Sequence, residues 1–155
     1  MKVTSGVEQS IYVLIVLARQ KDRQPLKSET LAKVLGVSES YLRKIIRKLV
    51  VAELVESNAS RTGGISLAKD VREITFHDIL EAVEAGSSRY TPSLEGRVTY
   101  SNKLDFEGKS KMANEIFHEA FTAFDGVLQN YTIADVLESG VSGISDVDWN
   151  EIIQE

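Results

Sequence analysis

At 155 residues, with 43% apolar content, the chain is of single-domain size and able to build a core. It has no cysteine, which excludes disulfides, thiolate zinc sites, redox thiols and cysteine-held iron–sulfur clusters. The net charge of −5 hides an asymmetry: residues 1–111 hold all 18 Lys and Arg against 14 Asp and Glu (+4), while residues 112–155 hold no Lys or Arg against 9 Asp and Glu (−9).

Surface charges are screened over roughly 8–10 Å in physiological salt, so the local balance matters and only the first part can meet a polyanion. No run approaches the ~18 uninterrupted apolar residues of a membrane span, and MKVTSGVEQS lacks the layout of a signal peptide. A soluble cytoplasmic protein is expected.

From Ser5 to Arg19, Val7, Ile11, Leu14, Ile15 and Ala18 recur at the spacing of a helix with one buried face. QKDRQP breaks the pattern at Pro25, and a second helix starts at Ser28, turns Leu31, Ala32 and Leu35 inward and stops at Gly36. Ser38 caps a third helix with a stripe of Leu42, Ile45, Ile46 and Leu49; Tyr41, Arg43, Lys44, Arg47 and Lys48 lie beside or opposite it.

Leu54 to Ser57 and Ile65 to Ala68 read as short strands joined by NASRTGG, whose Asn and paired glycines are expected to supply positive φ at a hairpin tip. A fourth helix runs from about Thr75 to Ala85 on Phe76, Ile79, Leu80 and Val83. Gly86 to Gly108 is patternless and too long for an ordinary loop. Lys109 to about Tyr131 is the longest helix, its broad apolar face suited to burial on two sides. Thr132 caps a short helix, IADVLESG, and the last dozen residues are expected to be weakly held, with Trp149, Ile152 and Ile153 either docking or fraying.

Supporting helix, Gly turn, capped basic helix and basic Gly-tipped hairpin follow one another in the order of a winged helix-turn-helix. A helix fits the major groove, where its first residues reach base edges and later basic ones neutralise phosphates. Ser38, Ser40, Tyr41, Arg43 and Lys44, then Arg47 and Lys48, occupy those positions. Arg43 is the candidate for bidentate recognition of guanine O6 and N7, a pairing that discriminates by ~1–3 kcal/mol. Arg61 sits where a wing enters the minor groove, Thr62 offers a phosphate hydrogen bond, and Gly63 and Gly64 allow the backbone close to the sugar–phosphate chain.

No enzymatic constellation is present. His77 and His118 are the only histidines; His118 lies near Glu115 and Glu119 but without metalloprotease spacing, and is read as a surface residue. There is no phosphate-binding loop and no nucleophile elbow. Phe106, Phe117, Phe121 and Phe124 could line a pocket near Tyr90 and Tyr100, although core or dimer packing accounts for them more simply.

The stretches VSESYLRKIIRKLVVAELVES, RTGGISLAKD and ITFHDILEAVEAG resemble the Rrf2 family of bacterial transcription regulators, closely over about the first 86 residues and loosely over the long helix and YTIADVLE. That resemblance implies a mainly α fold with a β-hairpin wing and a homodimer on a palindromic double-stranded operator, with a long C-terminal helix crossing to the second subunit through Met112, Ile116, Ala120, Phe124 and Val127. The implied organisation is a DNA-binding domain over 1–86, a variable loop over 87–108, a dimerisation helix with a short following helix over 109–137, and an acidic tail over 138–155.

Cluster-sensing members hold three cysteines in the segment equivalent to Gly86–Gly108. This chain has none, so no cofactor is expected and cluster sensing is ruled out. Ile65 replaces a usual aromatic, and Glu53 stands where Gly is common, at a cost of up to ~1 kcal/mol if φ there is positive. Arg43 occupies a position that is acidic in some cluster-binding members. A small-molecule effector or a regulatory protein partner would supply the input. The rival expectation is a winged-helix interaction or ligand-sensing module that has lost specific DNA binding.

Overall fold

A computed structural model describes residues 4–84, 106–139 and 147–153. Of the expected loop from Gly86 to Gly108, residues 86–105, with Tyr90 and Tyr100, lie outside them. Among the described residues seven α-helices and one antiparallel hairpin follow in chain order: α1 Ser5–Arg19, α2 Ser28–Leu35, α3 Glu39–Val51, β1 Val55–Ser57, β2 Ile65–Leu67, α4 Phe76–Glu84, α5 Phe106–Gln129, α6 Ile133–Glu138 and α7 Trp149–Ile152. A 3-10 turn, Lys21–Arg23, links α1 to α2.

Helix α1 is the centre of the molecule. It buries Val7, Ser10, Val13, Leu14, Val16 and Leu17, which spread around its circumference, whereas Ile11, Ile15 and Ala18 are only half-buried. The one-faced reading fails because α2, α3, α4, α6 and β2 all pack on α1. Ser10 is tolerated inside because its hydroxyl donates to the Gly6 carbonyl at 2.8 Å.

Helix α2 ends at Gly36, whose φ of 64° is the left-handed value that glycine adopts without strain. Helix α3 begins at Ser38, where Oγ accepts from the Tyr41 N–H at 3.3 Å, and buries Leu42, Ile45, Ile46 and Leu49. Just past α3, Glu53 takes φ 56° without being glycine, the strained geometry expected there. Helix α4 is capped reciprocally: Thr75 N–H donates to Asp78 Oδ2 at 3.0 Å, and Asp78 N–H donates to Thr75 Oγ1 at 3.1 Å. At α6 the Asp135 carboxylate accepts from both the N–H and the hydroxyl of Thr132, at 2.6 and 2.8 Å. The Thr132 N–H, followed by its hydroxyl, holds the Asp135 carboxyl below its ordinary value.

Two expectations about the C-terminal half are corrected. Helix α5 starts at Phe106, earlier than Lys109, and none of its described side chains joins the buried core. Burial on two sides is therefore not what a single copy provides: Met112, Ile116, Phe117 and Val127 are 59%, 56%, 44% and 56% exposed. The segment 147–153, in contrast, is docked. Val147 pairs with Gln20, Trp149 Nε1 donates to the Val16 carbonyl at 3.0 Å, and Trp149 N–H donates to Oε1 of the buried Gln20 at 3.2 Å.

Candidate nucleic-acid interface

Helix α3 turns its aliphatic stripe into the core and its cations outward. Arg43, Lys44 and Arg47 are exposed. Arg43 Nη2 donates to Glu39 Oε2 one turn earlier at 3.2 Å, in an ion pair whose side chains are 71% and 44% exposed. Such a pair contributes about 0.3–0.5 kcal/mol, so the guanidinium can leave it for a stronger bidentate partner. Ser38 and Ser40 are exposed at the start of the helix with their hydroxyls 3.3 Å apart, whereas Tyr41 is half-buried against the core.

Lys48 is placed differently from the others. Its Nζ donates to the Val83 carbonyl at 2.5 Å, at the C-terminal end of α4. Carbonyls unpaired at a helix end carry partial negative charge, and a long lysine stem reaches them readily. The structure thus ties Lys48 to the joint between α3 and α4, although the residue stays exposed like the other α3 cations.

In the hairpin, Val55 pairs with Leu67, Glu56 with Ser66, and Ser57 with Ile65. A third segment joins this sheet: Leu26 N–H donates to the Ile65 carbonyl at 2.9 Å, and Ile65 N–H to the Leu26 carbonyl at 2.8 Å. The wing is thereby fastened to the entry of α2. At its tip, Ser60 N–H donates to Asn58 Oδ1 at 2.9 Å and Gly63 N–H to the Ser60 carbonyl at 3.0 Å. Arg61 and Thr62 are exposed there.

The expected role of the tip glycines is corrected. Gly36 alone among the described glycines has positive φ, so Gly63 and Gly64 are not there for the left-handed region. A Cβ on Gly63 would lie 2.2 Å from the Asn58 carbonyl oxygen, and one on Gly64 would lie 2.6 Å from that of Leu26. Both are required because backbone passes against backbone inside the protein. Gly63 is itself buried, which removes it as a surface for the sugar–phosphate chain.

Sequence reasoning missed Lys27, whose Nζ donates to the carbonyls of Arg61 at 2.9 Å and Ser60 at 3.3 Å. The signal lay in its position: it is the N-cap residue of α2, where lysine is out of place.

His118 lies exposed on α5. Among the described residues no group of three His, Asp or Glu is placed to hold a metal. No described helix is long and apolar enough to cross a membrane.

A family model described as Rrf2, iron-dependent transcriptional regulator, matches residues 3–139. YffB of Lactococcus lactis, named as an HTH-type transcriptional regulator, is 46% identical over 84 residues, which is 54% of each chain. The similarly named YwgB of Bacillus subtilis is 43% identical over 90 residues, 58% of each, so the chain spans little more than half the length of these relatives. The HTH-type transcriptional regulator NsrR of Geobacillus kaustophilus is 29% identical over 92% of this chain and 93% of its own. Among solved structures, IscR of T. potens superposes with a TM-score of 0.64 at 26% identity, over 92% and 94% of the two chains. The iron dependence in the family's description meets a chain without cysteine, and among the described residues no three His, Asp or Glu are grouped to hold a metal.

Proposed function

The chain belongs to the Rrf2 family of transcriptional regulators, which are not enzymes, and from that premise we propose that it is a sequence-specific DNA-binding regulator, a cytoplasmic repressor acting as a homodimer on a palindromic operator. The observation that supports DNA reading most directly is α3: its buried stripe is purely aliphatic, and the helix leaves Arg43, Lys44 and Arg47 exposed behind a capped start. Ser38, Ser40 and Arg43 address bases, with Tyr41 beside them; Lys44 and Arg47 address phosphates; and Arg61 with Thr62 forms the wing contact, Gly63 and Gly64 holding the wing's shape. Lys48 is left to the α3–α4 joint.

Helix α5 supports the homodimer. A 24-residue helix that adds no described side chain to its own core, and exposes Met112, Ile116, Phe117 and Val127, presents an apolar face suited to a second copy of itself, with Ala120 and half-buried Phe124 along it. With cluster sensing removed, the input is a small-molecule effector or a regulatory protein partner.

Selection of bound duplexes from a random pool, followed by titration at several salt concentrations, tests the reading. It expects a palindromic consensus and salt-sensitive affinity. Absence of duplex affinity above background at low salt, for the folded protein, would falsify it and favour an interaction module.

A further inference from the structure

Lys27 is the N-cap residue of α2, with φ −66°, ψ 146° and no side-chain cap bond. Chemistry and charge both disfavour lysine at that position. A cap accepts from the first N–H groups, an ammonium only donates, and a helix N-terminus is partially positive. A local rule broken without local compensation marks a demand made elsewhere in the fold.

That demand comes from the hairpin tip. Of the seven residues NASRTGG, only Arg61 is charged. Lys27 Nζ donates to the carbonyl of Arg61 at 2.9 Å and to that of Ser60 at 3.3 Å. The Ser60 carbonyl also accepts from Gly63 N–H, and the Ser60 N–H is held by Asn58, so the ammonium fastens the backbone on the N-terminal side of Arg61 and at Arg61 itself. It does so from a fixed base, since the preceding residue, Leu26, is paired to Ile65 through both of its backbone groups. Two carbonyls converging on one ammonium define the φ and ψ from which the Arg61 side chain departs.

We infer that Lys27 is a positioning residue for DNA recognition: it presents Arg61 by clamping the wing tip to the entry of α2. This rests on the DNA-reading proposal above. The competing role for a lysine at this place is a direct phosphate contact, and the two differ in how Lys27 and Arg61 combine.

The test is a double-mutant cycle on a selected duplex at fixed salt, using Lys27→Met, Arg61→Ala and the pair. Positioning expects each single variant to bind about fivefold or more weaker, and the pair to bind within about twofold of Arg61→Ala alone. Lys27→Arg, which keeps several donors, should bind more tightly than Lys27→Met. Losses that multiply, or Lys27→Met binding like the parent protein, overturn the inference.

Amide hydrogen exchange of the free protein gives a readout that needs no DNA. Lys27→Met should speed exchange at Gly63 and Asn58 and leave the α1 amides unchanged. Tip exchange unaltered by the substitution overturns the clamp. A parent protein without duplex affinity counts against DNA reading itself, while exchange still decides whether Lys27 orders the tip.

Discussion

Gly64→Ala tests how far the wing depends on its fastening to α2. The added Cβ would lie 2.6 Å from the Leu26 carbonyl oxygen, 2.8 Å from the Leu26 carbonyl carbon and 3.1 Å from that of Pro25, all of them backbone atoms that cannot rotate away. Relief requires the strand to part from residue 26. The two bonds of 2.9 and 2.8 Å between Leu26 and Ile65 then open, beside side chains that are 0% and 4% exposed. At about 0.5–1.5 kcal/mol net per bond the loss is about 1–3 kcal/mol. For a chain of this size that lowers Tm by about 5 °C in thermal unfolding followed by circular dichroism. The displaced tip also takes Arg61 out of register, so duplex affinity should fall about fivefold or more. Gly36→Ala is the control: its added Cβ meets nothing within 4 Å and only φ 64° is strained, giving about 1 kcal/mol of destabilisation without an effect on wing amide exchange. A Gly64→Ala protein with the parental Tm and the parental affinity would show that the close pass does not hold the wing.

Glu53→Gly should stabilise by up to about 1 kcal/mol, because relief of φ 56° outweighs the entropy glycine adds to the unfolded chain; a lower denaturant midpoint refutes this. Ile116→Asp, on the exposed face of α5, should leave far-ultraviolet dichroism intact but move sedimentation from dimer to monomer. Burial of about 1.5–3 kcal/mol per side chain, counted in both copies, raises the dissociation constant about 100-fold or more. Unchanged sedimentation would place the interface elsewhere. Asp135 has a pKa depressed in the folded state from its ordinary 3.8, so its contribution to stability is fully present above that value and is lost as pH falls through the folded pKa. The stability gap between the parent and Asp135→Asn should therefore narrow in acid, and a gap that stays constant from neutrality to below pH 3.8 removes the ionised cap from the account.

Helices with a single partner face were the legible part of this fold. Leu42, Ile45, Ile46 and Leu49 repeat at helical spacing behind a serine cap, and the structure buries those four residues and no others of α3. Helix α1 was read less well because its surroundings are not encoded in its own periodicity. Buried on several sides, it accepts Ser10 and the neighbouring Gln20 into positions that a polarity pattern assigns to solvent. The tip glycines were misread because paired glycines between strands signal positive φ in two-residue hairpins. Here the tip has seven residues, and glycine is demanded by contact with Asn58 and with Leu26, the latter far away in sequence. Lys27 and Lys48 form a pair of the same kind. A basic residue looks alike in sequence whether it meets phosphate or a carbonyl, and only the fold brought the ends of α4 and of the wing to them.

Charge makes the same point at the scale of the whole chain. Along the sequence the acidic part is remote from the cations of α3, which suggests a molecule with two electrostatically separate ends. The docked segment shows that separation in sequence is not separation in space. Trp149 and Val147 return the chain to the C-terminal half of α1, and Asn150 lies 3.4 Å from the Thr30 hydroxyl of α2, within the helix-turn-helix itself. Asp148 and Glu151 come with it, the Asp148 carboxylate accepting from the Asn150 N–H at 3.1 Å as the cap of α7. Through Asn150 the segment lies against α2, so its carboxylates sit closer to the helix-turn-helix than a detached tail would bring them, and screening over roughly 8–10 Å sets how far their charge reaches. Their repulsion of phosphate would weaken duplexes of every sequence alike and lower the share of affinity that is indifferent to sequence, leaving discrimination to base contacts such as those proposed for Arg43 and Arg61.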